Sequence, residues 1–432
     1  MCLVSFAAVW TAQRALRVSL LDVMVYRAVG WTVRSGGDVY GLRVMTAGLP
    51  MTYPPFAGLL FVPLTWVGVG AMRTLVTAAN LLLTVALAAL SLRLVGRPGR
   101  PAAVLAVAAL AVWSEPVWTT LRYGQINLLL AVLVLWDLTR APAQRWAGVG
   151  IGIAAGIKLT PALFVVLLAV AGLLARGTPY LRRALVAAGT FAATVLIGAV
   201  ALPHDSRRYW TSVAWAPGRP GRAENVANQS LRGVVARLGH TAAPGPAWLL
   251  LSLVVAAAGL ACAVAALLAG RSLRNGTAWA TLACAVTALL VSPVSWSHHW
   301  VWAVPVVVLL VTEAVRDDVP ADRAPAAARV RAQDPPGLAP AAASRRRSAG
   351  RLAAAMAVAL VFCSYVIWSV PHGVHRPELR ENAAEMVLAA AYPLVGLAFL
   401  AMAGSRAARA MRDRPRRITP VRRGGRSPAR SS

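Results

Sequence analysis

Residues 75–92 (LVTAANLLLTVALAALSL) carry no charged side chain, and neither do residues 247–270. A helix needs about 20 such residues to cross the hydrocarbon of a bilayer. No water is available there to satisfy backbone N–H and C=O groups, so a crossing segment must pair them within itself. Repeated apolar runs of this kind therefore mean α-helices. Composition points the same way, with 58% hydrophobic and 14% charged residues, whereas a soluble domain carries roughly 25% charged. The expected fold is all-α, a polytopic transmembrane helical bundle.

The formal net charge of +29 would suggest a nucleic-acid partner in a soluble protein. Here the arginines gather in short stretches between apolar runs: Arg97 and Arg100, Arg140 and Arg145, Arg176 to Arg183, Arg271 and Arg274, and Arg345 to Arg347. A further group fills the tail from Arg406 to Arg430. That is the distribution the positive-inside rule places on the cytoplasmic face, so no nucleic acid is expected. Cys2, Cys262, Cys284 and Cys363 lie in or beside apolar runs without ligand spacing, so neither a metal site nor a disulfide framework is predicted. Residues 3–16 read as a short, Arg-interrupted first span, as expected if the start lies further upstream.

Candidate spans are 3–18, 73–95, 102–118, 126–139, 146–158, 159–176, 184–202, 247–269, 277–293, 299–316, 351–370 and 385–404. The basic stretches then share one face, provided that the short apolar segment 56–67, broken by Pro63, does not cross. This predicts about twelve spans, both termini inside, and an interfacial helix in the first outer loop. It divides the chain into a transmembrane core (1–316), a disordered cytoplasmic linker (317–350), a C-terminal transmembrane pair (351–404) and a basic cytoplasmic tail (405–432). The long segments 19–54, 203–246 and 371–384 fall outside, with all six histidines.

An ionisable group at membrane depth is costly unless it is paired or lines a cavity, so each such residue is a functional candidate. Asp22 opens the first outer segment, where its carboxylate suits a general base or the N-cap of a helix over 23–34. Lys158 is the sole lysine of the chain, set between two apolar segments in Gly156-Ile157-Lys158-Leu159-Thr160-Pro161. Its compact ammonium fits a phosphate, or it snorkels from a helix end. His298 and His299 occupy an outer turn with Trp296 and Trp300, either donating to a phosphate and shaping a sugar pocket or forming an interfacial belt. Adjacent residues of an α-helix point about 100° apart, so one of the two histidines is expected to face a shared cavity. Arg122, Tyr123, Gln125 and Asn127 form one polar cluster, and Asn225, Asn228, Gln229 and Ser230 another. Such amides suit sugar hydroxyls, and Arg122 suits an anion.

Taken in order, Asp22-x-x-Val25-Tyr26, Ser35-Gly36-Gly37-Asp38-Val39-Tyr40, Thr52-Tyr53-Pro54-Pro55-Phe56 and Tyr123-Gly124-Gln125-Ile126-Asn127 form a recognisable series. It continues with Gly156 to Pro161, Asn228-Gln229-Ser230, and Ser292-Pro293 through His299-Trp300. From about Asp22 to Trp302 the chain resembles glycosyltransferase family 87, the polyprenol-phosphate-mannose-dependent α-mannosyltransferases of actinobacteria, within the GT-C superfamily. The resemblance implies a multi-pass plasma-membrane enzyme with its active site on the extracytoplasmic face. It implies a polyprenyl-phosphate-mannose donor, a mannoside acceptor of the cell envelope, inversion, and an α-1,2 linkage. Asp22 becomes the catalytic residue by this resemblance. Lys158, His298, His299, Arg122, Tyr53, Gln125 and Asn127 become donor-side residues, and Asn228, Gln229 and Trp296 acceptor-side candidates. A lipid phosphate is already a good leaving group, so no metal or other cofactor is demanded. The chief alternative is a transporter or lipid-linked sugar flippase, but the matched broken helices of inverted repeats are not evident. A scaffold without an active site would not explain polar residues clustered at the ends of spans.

Overall fold

A computed structural model describes the chain except for residues 46–47, 98, 142–143, 176–178, 317–337 and 414–432, and the side chains of 271, 316 and 338–347. Helices dominate, and the only strands among the described residues are a two-stranded antiparallel pair, Arg43–Val44 with Leu49–Pro50.

The helices are α1 (Cys2–Ala15), α2 (Leu21–Arg34), α3 (Pro55–Phe61), α4 (Val69–Leu94), α5 (Pro101–Ala111), α6 (Glu115–Tyr123) and α7 (Asn127–Leu138). They continue as α8 (Val149–Ile157), α9 (Ala162–Leu174), α10 (Pro179–Ala201), α11 (Pro203–Thr211), α12 (Leu231–Leu238), α13 (Ala247–Ala269) and α14 (Gly276–Val291). The chain ends with α15 (Ala303–Arg316), α16 (Leu338–Cys363), α17 (Ala383–Ala389) and α18 (Ala391–Arg412).

This is a polytopic helical membrane protein, and its surface explains why. On α13 the side chains of Leu250, Leu253 and Val254 are 66%, 66% and 65% exposed. They form an apolar stripe at i, i+3 and i+4 that water would penalise and lipid tails accept. Among the described residues, five helices are individually long and apolar enough to cross a membrane. Pro55–Thr65, Asn127–Leu138, Ala162–Leu174 and Gly276–Val291 are apolar but shorter.

Three expectations need correction. The span 102–118 is not one rod: α5 and α6 meet at 76° across residues 112–114, where Pro116 in the first turn of α6 suits a new helix start. The segment 317–350 is not disordered throughout, since α16 runs from Leu338, whose Ala- and Arg-rich stretch has high helix propensity; residues 317–337 lie outside the described residues. The basic tail is helical as far as Arg412, and its remainder lies outside the described residues.

The short helices set the depth of the site. Helix α8 runs up α10 and α9 runs back down it, so residues 158–161 form the tip of a hairpin. Glycines at i, i+4 and i+8 let the backbones approach as small residues do in membrane helix pairs. A Cβ on Gly152 would lie 2.5 Å from the Ala187 carbonyl oxygen, and one on Gly156 only 2.1 Å from Thr194 Oγ1. Because α10 continues from Thr194 to Ala201, its end stands about 10 Å above that contact at 1.5 Å per residue. Lys158 is thereby held in a recess.

The two contacts should respond differently to substitution. Gly156→Ala is expected to be rescued by Thr194→Gly but not by Thr194→Ala, because the obstacle is the Thr194 side chain down to its Cβ, 2.6 Å away. Gly152→Ala meets backbone and should stay destabilised by about 1–3 kcal/mol whatever stands at 194. Fluorescence-detected size exclusion with a thermal ramp checks both pairs.

Candidate active site

A cavity of about 550 Å³ opens at the end of the bundle where α2, α6, the 158–161 tip and the 292–299 turn converge. Its roof is the segment between α2 and α3. Tyr40 OH donates to the Tyr53 carbonyl at 2.8 Å, and Arg219 donates to the carbonyls of Met51 (3.0 Å) and Tyr40 (2.6 Å). Val39 N–H donates to Asp205 at 3.1 Å. Irregular backbone at this depth needs such partners.

Asp22 sits in the first turn of α2. The N-cap is Leu20, in the left-handed region at φ 49°, and no side chain caps this helix. The carboxylate is therefore not spent on capping. It lines the cavity with Gln125 as hydrogen-bond partner. Gln125 Oε1 accepts from Tyr26 OH at 2.9 Å and lies 3.2 Å from Tyr53 OH, and the two hydroxyls are 2.8 Å apart. With that oxygen occupied, the Gln125 amide N–H is the group left for Asp22. Burial raises the Asp22 carboxyl to about 6, against the lowering pull of Gln125 and Lys158.

Lys158 caps α8 in extended backbone and turns its ammonium toward the same space. Nζ donates to Asn127 Oδ1 at 3.2 Å, lies 2.9 Å from His299 Nε2, and stands 5.7 Å from the centre of the Tyr53 ring. An ammonium has three protons, so one remains for a ligand.

The histidines are fixed through their backbone. The His298 carbonyl accepts from Thr120 Oγ1 and Asn127 Nδ2, both at 3.1 Å. Both rings line the cavity, perpendicular to one another at 87°. This differs from the expectation that one would face it. Residues 297–302 are a 3₁₀ helix, in which neighbours point about 120° apart, and the two rings meet different walls of the cavity, His298 against Tyr123 and His299 against Lys158. His298 Nε2 is buried with no protein partner.

Residues 51–293 match the family profile described as "Glycosyltransferase family 87". The chain is 35% identical over 71% of its length, and 70% of the relative's, to a polyprenol-phosphate-mannose-dependent alpha-(1-2)-phosphatidylinositol pentamannoside mannosyltransferase of Mycobacterium tuberculosis. The corresponding phosphatidylinositol mannoside mannosyltransferase of that species is also 35% identical, covering 67% of this chain and 70% of the relative. The chain belongs to glycosyltransferase family 87. It is accordingly a membrane-embedded glycosyltransferase, a hexosyltransferase. A solved structure, ArnT from Cupriavidus metallidurans bound to undecaprenyl phosphate, aligns over 94% of this chain and 77% of its own with 16% identity and a TM-score of 0.40. A likeness that weak fixes neither fold nor ligand.

The match contains Tyr53, Gln125, Asn127 and Lys158; Asp22 and the histidines lie outside it and are brought to it by the fold. In this family 87 protein other candidates sit elsewhere. Arg122 is exposed, its guanidinium 5.8 Å from the centre of the Tyr123 ring; the guanidinium on the cavity wall is Arg219. Asn228 and Gln229 are fully buried. Asn228 Oδ1 accepts from Ser295 N–H at 3.0 Å, and Gln229 Nε2 donates to Val226 and Ala389 carbonyls at 2.6 and 2.7 Å. Both amides serve backbone groups, and neither lines the chamber. Trp296 does line the cavity, its ring closing over Gly221.

Glu115 was hidden inside the apolar span predicted over 102–118, although a carboxylate at that depth is itself a signal. It is fully buried and accepts from Thr119, Ser297, Trp368 and Tyr392 at 2.8, 2.8, 3.0 and 3.0 Å. It thus ties the histidine turn to the C-terminal helices. Glu115→Ala strands four buried donors and is expected to destabilise by about 3–5 kcal/mol, read as a falling melting temperature together with lost activity. Glu115→Gln should recover most of the stability.

Proposed function

We propose that the protein moves mannose from polyprenyl-phosphate-mannose to a mannoside acceptor of the cell envelope, with inversion, forming an α-1,2 linkage. The observation that carries the reading is the convergence of one raised carboxylate and one ammonium–imidazole pair on a single chamber recessed in the bundle. The relatives' names supply the sugar, the donor and the linkage.

The donor phosphate sits against the free N–H of Lys158, with His298 beside it. The isoprenoid tail leaves along the adjoining slot that Lys158 and His299 share with Leu130, Phe164, Leu289 and Trp302. An acceptor hydroxyl approaches the anomeric carbon from the Asp22 side. Asp22 takes the hydroxyl proton, the new C–O bond forms, the C1–O bond to phosphate breaks, and the electron pair stays on the lipid phosphate. Lys158 compensates the charge that develops there, the kind of preorganised contribution that is usually the largest in such sites. The cavity faces the extracytoplasmic side of the plasma membrane, a reading supported by the basic loops at the opposite ends of the spans.

Proteoliposomes holding the purified protein, labelled polyprenyl-phosphate-mannose and a lipid-linked oligomannoside should form an alkali-stable α-1,2-mannoside. Intact spheroplasts given a membrane-impermeant mannoside should mannosylate it. Product only after permeabilisation would place the site on the cytoplasmic face.

A further inference from the structure

A second cavity, about 380 Å³, lies between the end of α1 and the start of α4. It is lined by Trp10, Gln13, Arg14, Arg17, Val18, Leu20, Gly70, Arg73, Thr74 and Thr77. Three arginines meet there and no acidic residue lines it. None of their guanidinium groups makes a hydrogen bond or ion pair among the described residues, and Arg73 Nε is buried without a partner. Arg14 rests on the Trp10 ring at 5.6 Å, which orients it without neutralising it. Elsewhere arginines at this end of the bundle are engaged: Arg27 donates to the carbonyls of Leu64 and Val67, and Arg34 to Thr65.

The position sharpens the question. These arginines stand at the opposite end of α4 from Arg97 and Arg100, on the face where the positive-inside rule disfavours them. Below the cavity, Leu75 and Leu82 of α4 are exposed one heptad apart, a track for acyl chains. The cavity also shares a wall with the active site. Leu20 lines one chamber and Leu21 and Asp22 the other, and the Cα atoms of Leu20 and Asp22 can be no more than about 7.6 Å apart.

We propose that the Arg14, Arg17 and Arg73 cavity binds the phosphodiester of an anionic glycerolipid, and that it is the subsite in which an acceptor of the phosphatidylinositol type named for the relatives is held by its phosphate while its glycan reaches over the 17–20 turn to Asp22. Guanidinium groups form charge-assisted, often bidentate bonds to phosphate oxygens. A phosphate so placed has its glycerol chains in the leaflet and its sugars at the chamber mouth. The second half of the proposal rests on the transferase reading above; the first does not.

The test uses two arms on the full-length protein. In the first, native mass spectrometry from detergent compares phosphatidylinositol with phosphatidylcholine. The wild type should retain phosphatidylinositol in preference, and Arg14→Gln/Arg17→Gln/Arg73→Gln should lose that preference while Arg73→Lys alone keeps most of it. In the second, KM is measured for a phosphodiester-linked mannolipid and for an alkyl mannoside lacking phosphate. The triple variant should raise KM for the former about 10- to 100-fold and leave KM and kcat for the latter within about twofold. Equal KM for both acceptors in wild type and variant overturns the proposal, as does unselective lipid retention. Wild-type protein that transfers to neither acceptor yet retains phosphatidylinositol would instead sink the transferase reading and leave the lipid site standing. Binding of inorganic phosphate as tight as the lipid would assign the cavity to a free anion and overturn it too.

Discussion

Asp22→Asn should fold, keep its donor, and transfer mannose about 10²–10⁴-fold more slowly, the range over which a positioned general base acts. Asparagine keeps the shape and the hydrogen bond from Gln125 but cannot take a proton. The pH dependence gives a second, independent signature. With its carboxyl raised to about 6, wild-type kcat/KM should halve near pH 6 as the pH is lowered. An ordinary aspartate would hold its activity to near 4. The sign for stability runs the other way. A folded-state value above the unfolded one means that ionised Asp22 disfavours the fold; the penalty is fully present above pH 6 and vanishes as pH falls toward 4. Asp22→Asn is therefore expected to melt higher than wild type at pH 7.5, with the gap closing at low pH. A variant that is slow because it is damaged would melt lower, so kinetics and melting together separate lost chemistry from lost structure. Full activity in Asp22→Asn would remove the base.

Much of this site was legible because its key residues are chemically odd for their surroundings. A lone lysine among arginines and a carboxylate directly after a span stand out without any fold. The helical class was legible for a similar reason, since hydrocarbon permits few alternatives. What the sequence concealed depends on rotation and bending. Arg122 and Gln125 are three residues apart, yet α6 ends between them at Gly124 in the left-handed region (φ 69°), and one is exposed while the other is buried. His298 and His299 both line the chamber because it wraps the turn, Tyr123 meeting one ring and Lys158 the other from distant segments. Asn228 and Gln229 misled because a buried loop must satisfy its own backbone, and amides serve that need as well as they serve a sugar. Glu115 was overlooked because its neighbours were read as one span. The arginines of the α1 end and the α4 start are more than fifty residues apart in sequence, and only the fold gathers them around a cavity lined by no acidic residue.

Replacing Lys158 should cost almost as much as replacing Asp22, but at the other end of the reaction. Lys158→Met keeps length and apolar contact with Tyr53 while removing the charge, and kcat is expected to fall about 10²–10³-fold, as when one preorganised donor is taken from a developing anion. Lys158→Arg should not restore it. Nζ is already held by Asn127 at 3.2 Å and His299 at 2.9 Å, a seat for a compact ammonium that a planar guanidinium cannot share. The decisive comparison varies the leaving group. If Lys158 stabilises the departing phosphate, the Lys158→Met defect shrinks for a donor whose leaving group needs less help, such as mannosyl fluoride, while the Asp22→Asn defect persists. The converse series varies acceptor acidity: a more acidic hydroxyl should soften the Asp22→Asn defect and leave Lys158→Met untouched. A cavity in which both variants lost activity equally with every donor and every acceptor would have the two groups holding structure rather than dividing the chemistry between attack and departure. The hydrogen bonds argue against that outcome, since Asp22 and Lys158 reach the chamber from separate helices and bond different partners there, Asp22 with Gln125 and Lys158 with Asn127 and His299.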